Sequence, residues 1–278
     1  MMSKNAILIP SFNRVDLCNK CINSIRKNNR KVRIFITVEL DQYKMYMKGI
    51  ENKKRVTLIK LEKFRWGGSY SFSYGLEYLD ELGFKYVLRA DDDTLINYNV
   101  KKAFKLIRKY GDKIPWIGGW FSIYDLFYGK PEIRKYVSNK SRLVNAVSTC
   151  CSRSYVLNLK IVKKLGNWDW RYRALDDADM EMRMVLAGYK VVVCDEMKCG
   201  STMARMKGGG MADDILSKAK KVLEHNAKIF IDKFGEGSLR YGINKNGKPR
   251  ASVNWKMYRE GKIKLNKKAN QFSYLIGL

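Results

Sequence analysis

The sequence lacks any apolar run approaching the roughly 18 residues that a transmembrane helix needs. It also opens, at Met1–Lys4, without the architecture of a signal peptide and passes directly into a strand-like run. These absences predict a soluble, cytoplasmic protein. The six cysteines suit that compartment as free thiols. Cys18 and Cys21 form a C-x-x-C pair, but it lies in a predicted helix without a second pair, which argues against a zinc or redox site.

Acidic residues are scarce relative to basic ones. Fifty-five Lys and Arg against 27 Asp and Glu give a formal net charge of +28. This excess indicates a polyanionic partner, either nucleic acid or an anionic membrane surface. A lysine-rich, AT-biased genome is the alternative explanation. The hydrophobic content of 46% excludes general disorder, and 278 residues suffice for one large domain, with or without a tail.

Three consecutive acids follow a short apolar run. Tyr86–Leu88 predicts a buried strand, and Asp91, Asp92 and Asp93 come directly beyond its end. Adjacent carboxylates near an apolar interior are costly unless a cation neutralises them or water reaches them. Because Mg²⁺ is commonly held by one or two carboxylates plus substrate phosphates, the pattern indicates a metal–diphosphate site. An acidic turn with no such role is the alternative.

Strands and helices alternate through the first half of the chain. Strands are predicted at about 6–10, 32–38, 56–61 and 86–88, with helices at about 15–27, 70–82 and 100–110. This spacing predicts an α/β fold with a mostly parallel sheet, in which ligands bind beyond the carboxyl ends of the strands. We therefore expect Pro10–Arg14, Glu39–Asp41 and Asp91–Asp93 to lie at one edge of the sheet.

The second half is less regular. Strands are predicted at about 117–121, 144–151 and 189–194, and helices at 155–165, from Leu175 to about 187, and at 213–234. The helix beginning near Leu175 carries three early acids, more than a helix dipole requires. The glycine-rich segment 201–210 suits either a lid over phosphates or a linker. The segment 240–268 is basic with interleaved aromatics, which suits phosphates and stacked bases, or a solvated tail packed on the domain.

Four segments together resemble the GT-A glycosyltransferases, particularly the family-2-like inverting enzymes, over residues 5–235. The sequence ILIPSFNR at 7–14 resembles the opening strand and turn that hold the nucleotide, and ADDD at 90–93 resembles the DxD motif. LGNWD at 165–169 and LDDADMEMR at 175–183 resemble the turn and the E-D-x-D-L-x-x-R segment of the acceptor half. The resemblance implies a GT-A domain at 1–235, with a nucleotide-sugar half to about 115, and a basic extension at 236–278.

The resemblance also implies a nucleotide-sugar donor, usually a UDP-sugar, with Mn²⁺ or Mg²⁺. Asp91 and Asp93 would hold the metal, and Asp177 would be the general base, with its proton affinity raised by burial near Asp176 and Asp179. The residues expected to contact the donor are Pro10, Ser11, Asn13, Arg14, Glu39, Asp41, Gly67, Gly68, Asp92, Arg205 and Lys207.

Two departures from the family pattern concern metal and acceptor binding. The segment 194–199 has no histidine to serve as a further metal ligand, and the lone His225 lies downstream in a predicted helix. Asp176 stands where the family has glutamate.

The net positive charge of the chain is the main indication of its acceptor. A basic surface with an aromatic tail suits duplex DNA, and the chain resembles bacteriophage enzymes that glycosylate hydroxymethylated pyrimidines, which would place it in the host cytoplasm. Transfer to a base in a duplex requires extrusion of that base onto aromatic side chains. The expected acceptor-binding residues are Trp120, Trp168, Trp170 and Asp176, with a core role for at least one tryptophan as the alternative. The rival functions are a cell-surface glycan or lipid glycosyltransferase and a nucleic-acid-binding protein with a degenerate site.

Overall fold

The computed structural model describes residues 4–62, 68–121, 135–138, 141–145, 154–201, 219–243 and 249–270. Its strands are β1 Asn5–Pro10, β2 Arg33–Glu39, β3 Val56–Leu61, β4 Tyr86–Ala90, β5 Thr94–Ile96, β6 Trp116–Phe121, β7 Lys135–Ser138, β8 Ser141–Asn145, β9 Ser154–Asn158, β10 Val191–Ser201, β11 Leu239–Ile243 and β12 Pro249–Val253. Its helices are α1 Val15–Asn28, α2 Tyr43–Gly49, α3 Gly68–Glu81, α4 Val100–Tyr110, α5 Leu159–Lys164, α6 Asp176–Leu186, α7 Ala219–Phe234 and α8 Trp255–Arg259.

A ten-stranded sheet forms the centre of the described structure. Its order is β3-β2-β1-β4-β9-β6-β10-β8-β7, with β5 paired to β10. The pairings make β1, β2, β3, β4, β6, β7 and β10 run in one direction, while β5, β8 and β9 oppose them. Helices pack on both faces of the central strands, and β1, β2 and β9 are almost fully buried, as parallel sheets require. The predicted α/β class with a mostly parallel sheet is confirmed.

The predicted helix at 155–165 is wrong in its first turn. Ser154–Asn158 forms β9, which lies antiparallel between β4 and β6 and is buried along its whole length. The apolar residues that suited one face of a helix instead fill both faces of a strand. Asn158 ends the strand, and its side chain caps α5 by accepting a hydrogen bond from the Lys160 backbone N–H at 3.2 Å.

Other sequence predictions differ at the boundaries of the described residues. The strand expected at 144–151 is described only as β8, which ends at Asn145, and α7 is described from Ala219 rather than 213. Cys18, Cys21 and Cys194 are buried free thiols, which agrees with the prediction of free thiols, whereas Cys150 and Cys151 lie outside the described residues.

The described part of the basic extension at 236–278 packs against α6 and α7. Leu239 and Ile263 are buried in one apolar cluster with Tyr172 and Met182 of the α6 region and Phe230 of α7. The aromatic side chains of the tail, Trp255 and Tyr258, are partly buried against this cluster. None of the helices in the described part of the chain combines the length and the apolar character needed to cross a bilayer.

Candidate active site

The carboxyl ends of β2, β1 and β4 meet at one edge of the sheet, because the three strands are parallel neighbours. The backbone N–H of Ser11, just beyond β1, donates to the Thr37 carbonyl near the end of β2 at 3.1 Å. The hydroxyl of Ser11 donates to Oδ2 of Asp92, beyond β4, at 2.8 Å. The predicted convergence of these strand ends is therefore confirmed for the residues that follow β1, β2 and β4.

Within the acidic triplet Asp92 and Asp93 are buried and Asp91 is partly exposed, and Asp92 is the residue that contacts the turn after β1. In addition to the hydrogen bond from Ser11, Asp92 forms an ion pair with Arg14, whose Nη1 lies 3.5 Å from Oδ1 of Asp92. Burial raises the pKa of Asp92 to about 7, and Arg14 and Ser11 act in the opposite direction. The hydroxyl of Tyr46 lies 2.6 Å from the Ser11 hydroxyl and accepts from the Arg14 backbone N–H at 3.0 Å. This network fixes the turn after β1 onto the acids after β4.

The other residues expected to contact the donor have varied positions. Asn13 adopts a left-handed backbone with φ of 52°, and its N–H donates to Gln42 at 2.7 Å. Glu39 is buried at the end of β2, Asp41 is exposed beyond it, and Gly68 begins α3 with open space where a Cβ would lie. Pro10 is the last residue of β1. Gly67, Arg205 and Lys207, with the glycine-rich segment expected to form a lid or linker, lie outside the described residues.

Asp177 lies at the start of α6, close to the end of β4. Its Oδ1 accepts hydrogen bonds from the Tyr155 hydroxyl at 2.9 Å and from Nη1 of Arg89 at 3.2 Å. Burial, and then the charge of Asp176, raise the pKa of Asp177 to about 8, while Arg89 acts in the opposite direction. The ionised fraction of this carboxyl group, which grows as the pH approaches 8, is basic enough to take a proton from a hydroxyl.

The backbone is strained at Leu175, the residue before α6, where the chain turns into the helix that carries Asp176 and Asp177. Leu175, immediately before Asp176, has a φ of 68°, in the left-handed region. That conformation costs a non-glycine residue roughly 1–2 kcal/mol. Strain of this kind accumulates at functional sites, where the surrounding structure holds it in place.

Arg89 connects the two acidic groups. Its Nε donates to Oδ1 of Asp91 at 3.1 Å, its Nη1 donates to Asp177, and the same Nη1 lies 3.9 Å from Oδ2 of Asp176. The DxD-like acids after β4 and the acids of α6 are therefore parts of one site.

The structure corrects the acceptor-stacking role expected for Trp168. Its ring is fully buried and stacks on Tyr155 at 5.8 Å, with an interplanar angle of 16°. Its Nε1 donates to Asp176 at 2.9 Å, so it supports an acid of the site from the core. The core alternative holds for this tryptophan. Trp170 is partly buried two residues further on, and Trp120 lies in β6, where only its backbone is described.

A second group of acids near α6 is neutralised by buried cations. Nζ of Lys233, in α7, lies 2.8 Å from Asp169 and 2.6 Å from Asp179. Arg183 forms a two-pronged ion pair with Asp179, through Nε at 2.9 Å and Nη2 at 2.5 Å. Burial opposes ionisation of Asp169, but Arg171 and Lys233 lower its pKa below the ordinary value. These acids stabilise the packing of α7 rather than facing a ligand.

The acids after β4 fit a divalent ion shared with a diphosphate. Among the described residues, no group of three Asp, Glu, His or Cys side chains converges as a metal cage made of protein alone would require. Carboxylate oxygens are nevertheless the ligands that Mg²⁺ prefers, and one or two suffice when phosphates complete the shell. Asp91, whose side chain is 30% exposed, and Asp93 are the residues that would hold such an ion.

Sequence reasoning missed Arg89, Tyr155 and Tyr46. Arg89 lies within the stretch that drew attention for its acids, and a lone cation two residues before an acidic triplet was the available signal. Tyr155 was assigned to a helix, so its hydroxyl could not be placed. Nothing local to Tyr46 in the sequence indicates its contact with Ser11, which lies 35 residues away.

Solved structures similar to this chain include a mannosyltransferase, a protein in complex with UDP-GlcNAc and a CTP transferase. A Pyrobaculum calidifontis mannosyltransferase in complex with GDP-Man and Mn²⁺ matches with a TM-score of 0.58 at 13% identity, over 82% of this chain and 64% of that one. S. aureus TarS 1-349 with UDP-GlcNAc matches at 0.56 and 14%, over 76% and 61%. The T. maritima inositol-1-phosphate CTP transferase matches at 0.50 and 17%, over 80% and 98%.

The described chain therefore has the GT-A fold of nucleotide-sugar transferases, as predicted. It spans about three-fifths of the length of the mannosyltransferase and TarS structures. No protein-family model matches the sequence, and no curated protein matches it. Because the similar structures include both a mannosyltransferase and a CTP transferase, the fold alone does not identify the reaction, which must be argued from the site.

Proposed function

We propose that the protein is a metal-dependent glycosyltransferase that uses a nucleotide-sugar donor and Asp177 as its general base. The observation that carries this proposal is Arg89, which contacts Asp91 on the donor side and Asp177 on the acceptor side. A carboxylate that binds protons near neutral pH thus lies beside acids suited to a metal–diphosphate complex.

The chain's residues divide between donor and acceptor. Asp91 and Asp93 would hold Mn²⁺ or Mg²⁺, which supplies positive charge that stabilises the departing diphosphate. Arg14 and Ser11 hold Asp92 in place beside them. The donor is proposed to be a UDP-sugar, by default UDP-glucose, and the nucleotide would lie over the ends of β1 and β2.

The reaction balances with one base. The acceptor hydroxyl oxygen forms a bond to the anomeric carbon of the sugar, and Asp177 takes the hydroxyl proton. The bond from that carbon to the donor phosphate breaks, and its electron pair leaves on the diphosphate. Attack from the face opposite the diphosphate inverts the anomeric centre, which is the outcome that the resemblance favours.

Asp177 also favours glycosyl over nucleotidyl transfer. A nucleotidyl transferase that extends a phosphorylated sugar uses a phosphate oxygen, which is already ionised, as its nucleophile. A hydroxyl nucleophile must lose a proton, and for that a carboxylate with raised proton affinity is required. The tyrosine hydroxyl that donates to Asp177 holds this base in a defined orientation.

We propose hydroxymethylated pyrimidine in duplex DNA as the acceptor. The net charge of +28 supports a polyanionic substrate. The tail packs against the α6 region and exposes a set of basic side chains there: Lys256, Arg259, Lys262, Lys264, Lys267 and Lys268. Trp170 and Trp120 remain the candidates for stacking on an extruded base. Arg205 and Lys207 remain proposed contacts of the diphosphate.

The test is incubation with Mn²⁺, a panel of UDP-sugars, and duplex DNA with or without 5-hydroxymethylcytosine or 5-hydroxymethyluracil. Mass spectrometry of the digested nucleosides should show a hexose on the modified base alone. Asp177→Asn should abolish that product while leaving UDP binding intact. UDP release without a DNA product would exclude the DNA acceptor and redirect the search to glycan and lipid acceptors. The absence of both a DNA product and donor hydrolysis, with every sugar of the panel, would overturn the proposed glycosyltransferase activity.

A further inference from the structure

One guanidinium group is shared between the two halves of the candidate site. Through Nε, Arg89 donates to Oδ1 of Asp91 at 3.1 Å, and through Nη1 it donates to Oδ1 of Asp177 at 3.2 Å. Nη1 also contacts the Tyr155 hydroxyl at 2.6 Å. Different edges of one planar group thus engage an acid on the donor side and the base on the acceptor side.

Aromatic rings hold this guanidinium. Its central carbon lies 4.6 Å from the ring centroid of Phe72 and 5.5 Å from that of Tyr155. The Arg89 side chain is 11% exposed. Because two rings restrict its plane, Arg89 cannot follow either acid freely if that acid moves.

The charges around Arg89 are not balanced. Three carboxylates lie within 4 Å of it, those of Asp91, Asp176 and Asp177. Arg89 and a divalent cation would therefore compete for the carboxylate of Asp91. A cation bound to Asp91 would weaken the attraction between Arg89 and Asp91. The interaction of Arg89 with Asp177 and Asp176 would then become stronger, which would hold the base more firmly.

We propose that Arg89 is a positioning residue that couples occupancy of the donor–metal side to orientation of the base. The proposal rests on the proposed function, since it assumes a cation at Asp91 and a base at Asp177. It assigns Arg89 two opposed effects: its charge weakens cation binding at Asp91, and its fork holds Asp177 in the orientation required for attack. If Arg89 had only a structural role, its replacement would weaken both Mn²⁺ binding and turnover, or would change neither.

The test measures cation affinity and turnover separately. Mn²⁺ binding to the full chain is followed by calorimetry in the presence of UDP, and kcat and KM are measured with the donor and acceptor that the wild type uses. Arg89→Met should bind Mn²⁺ about tenfold more tightly, because a nearby positive charge has been removed. Its kcat should fall by about 100-fold, because the base is no longer held, with little change in acceptor KM.

Arg89→Lys separates charge from geometry. Lysine keeps the positive charge but presents a compact ammonium that cannot bridge two acids as the guanidinium fork does. Mn²⁺ affinity should therefore stay within about twofold of the wild type while kcat still falls by at least about tenfold. Wild-type kcat in Arg89→Lys would overturn the bridging role.

Arg33→Met is the matched control. Arg33, at the opposite end of β2, also lies over two rings, with its central carbon 5.1 Å from Phe35 and 5.0 Å from Phe84. Its loss should alter stability without changing Mn²⁺ affinity or kcat.

The coupling through Arg89 and the proposed function can be refuted separately. Weaker or unchanged Mn²⁺ binding by Arg89→Met, beside a wild type that binds Mn²⁺ and turns over, would overturn the coupling and leave the proposed function standing. A wild type that binds neither UDP nor Mn²⁺ would overturn the proposed function and, with it, this inference.

Discussion

Replacing the proposed base should make the folded protein more stable at alkaline pH while removing its activity. Asp177 has its pKa raised from 3.8 to about 8, by burial first and by the charge of Asp176 second. Each pH unit corresponds to about 1.4 kcal/mol, so the fully ionised carboxylate costs the folded state about 6 kcal/mol. Asparagine carries no charge and has nearly the same shape.

The net gain is smaller than this limit. The Asp177 side chain is 21% exposed, and an asparagine amide accepts more weakly from Arg89 and Tyr155 than a carboxylate does. We expect Asp177→Asn to raise the free energy of unfolding by about 2 kcal/mol at pH 8.5. For a chain of this size the melting temperature should rise by about 5 °C.

The dependence on pH has a defined sign. Between pH 4 and 8 the folded state of the wild type keeps a proton on Asp177 that the unfolded state has lost, so stability falls as pH rises. The advantage of Asp177→Asn should be absent below about pH 4, grow up to about pH 8 and then level off.

Thermal or urea unfolding of both proteins at pH 5.5 and pH 8.5 measures this difference. Asp112→Asn, which alters an exposed carboxylate in a turn, is the control and should differ from the wild type by less than about 0.5 kcal/mol at both pH values. An Asp177→Asn variant that is less stable at pH 8.5, or whose advantage is the same at both pH values, would refute the assignment of a raised pKa to this carboxyl group.

Three further predictions concern the buried cation, the hydroxyl beside the base and the metal. Lys233→Met should lower the free energy of unfolding by about 3–5 kcal/mol in urea titrations, because Asp169 and Asp179 keep their buried charge without it. Tyr155→Phe should keep the melting temperature within a few degrees and reduce kcat by about tenfold, because Asp177 loses a donor at 2.9 Å; unchanged kcat would refute that contact's role. Chelation with EDTA should abolish transfer, and added Mn²⁺ should restore it; full activity in EDTA would exclude the proposed metal.

The meeting of the strand ends near the site was predictable because it follows from short-range patterns. Buried runs that end at Pro10, at Glu39 and just before Asp91 alternate with amphipathic helices, and parallel strands bring such ends to one edge. Asp177 was identified through its neighbours in the resembling segment. Both inferences depend on residues close together in the chain.

The partners of these acids were less predictable, because they come from distant segments. Tyr155 reaches Asp177 only because Ser154–Asn158 is a strand between β4 and β6, and its apolar pattern equally suits a helix. Lys233 lies 54 residues from Asp179, in a helix whose sequence shows an ordinary lysine. A buried ion pair formed across the fold leaves no local pattern in the sequence.

Charge compensation separates the acids of this region into two kinds. Asp179 and Asp169 are fully buried, and each forms ion pairs with Lys233 and with an arginine, contacts that also stabilise the fold. Asp177 has its own contact with Arg89, but that arginine is shared with Asp91 and Asp176. Burial, and then the charge of Asp176, raise the pKa of Asp177 because the shared Arg89 offsets them only in part, whereas Arg171 and Lys233 lower the pKa of Asp169 in spite of its burial. An acid whose negative charge is fully compensated by cations can stabilise the fold. A general base must retain affinity for a proton, and a buried carboxylate retains it when its charge is only partly compensated. The shared cation at Asp177 is therefore the physical feature that distinguishes the proposed base from its neighbours.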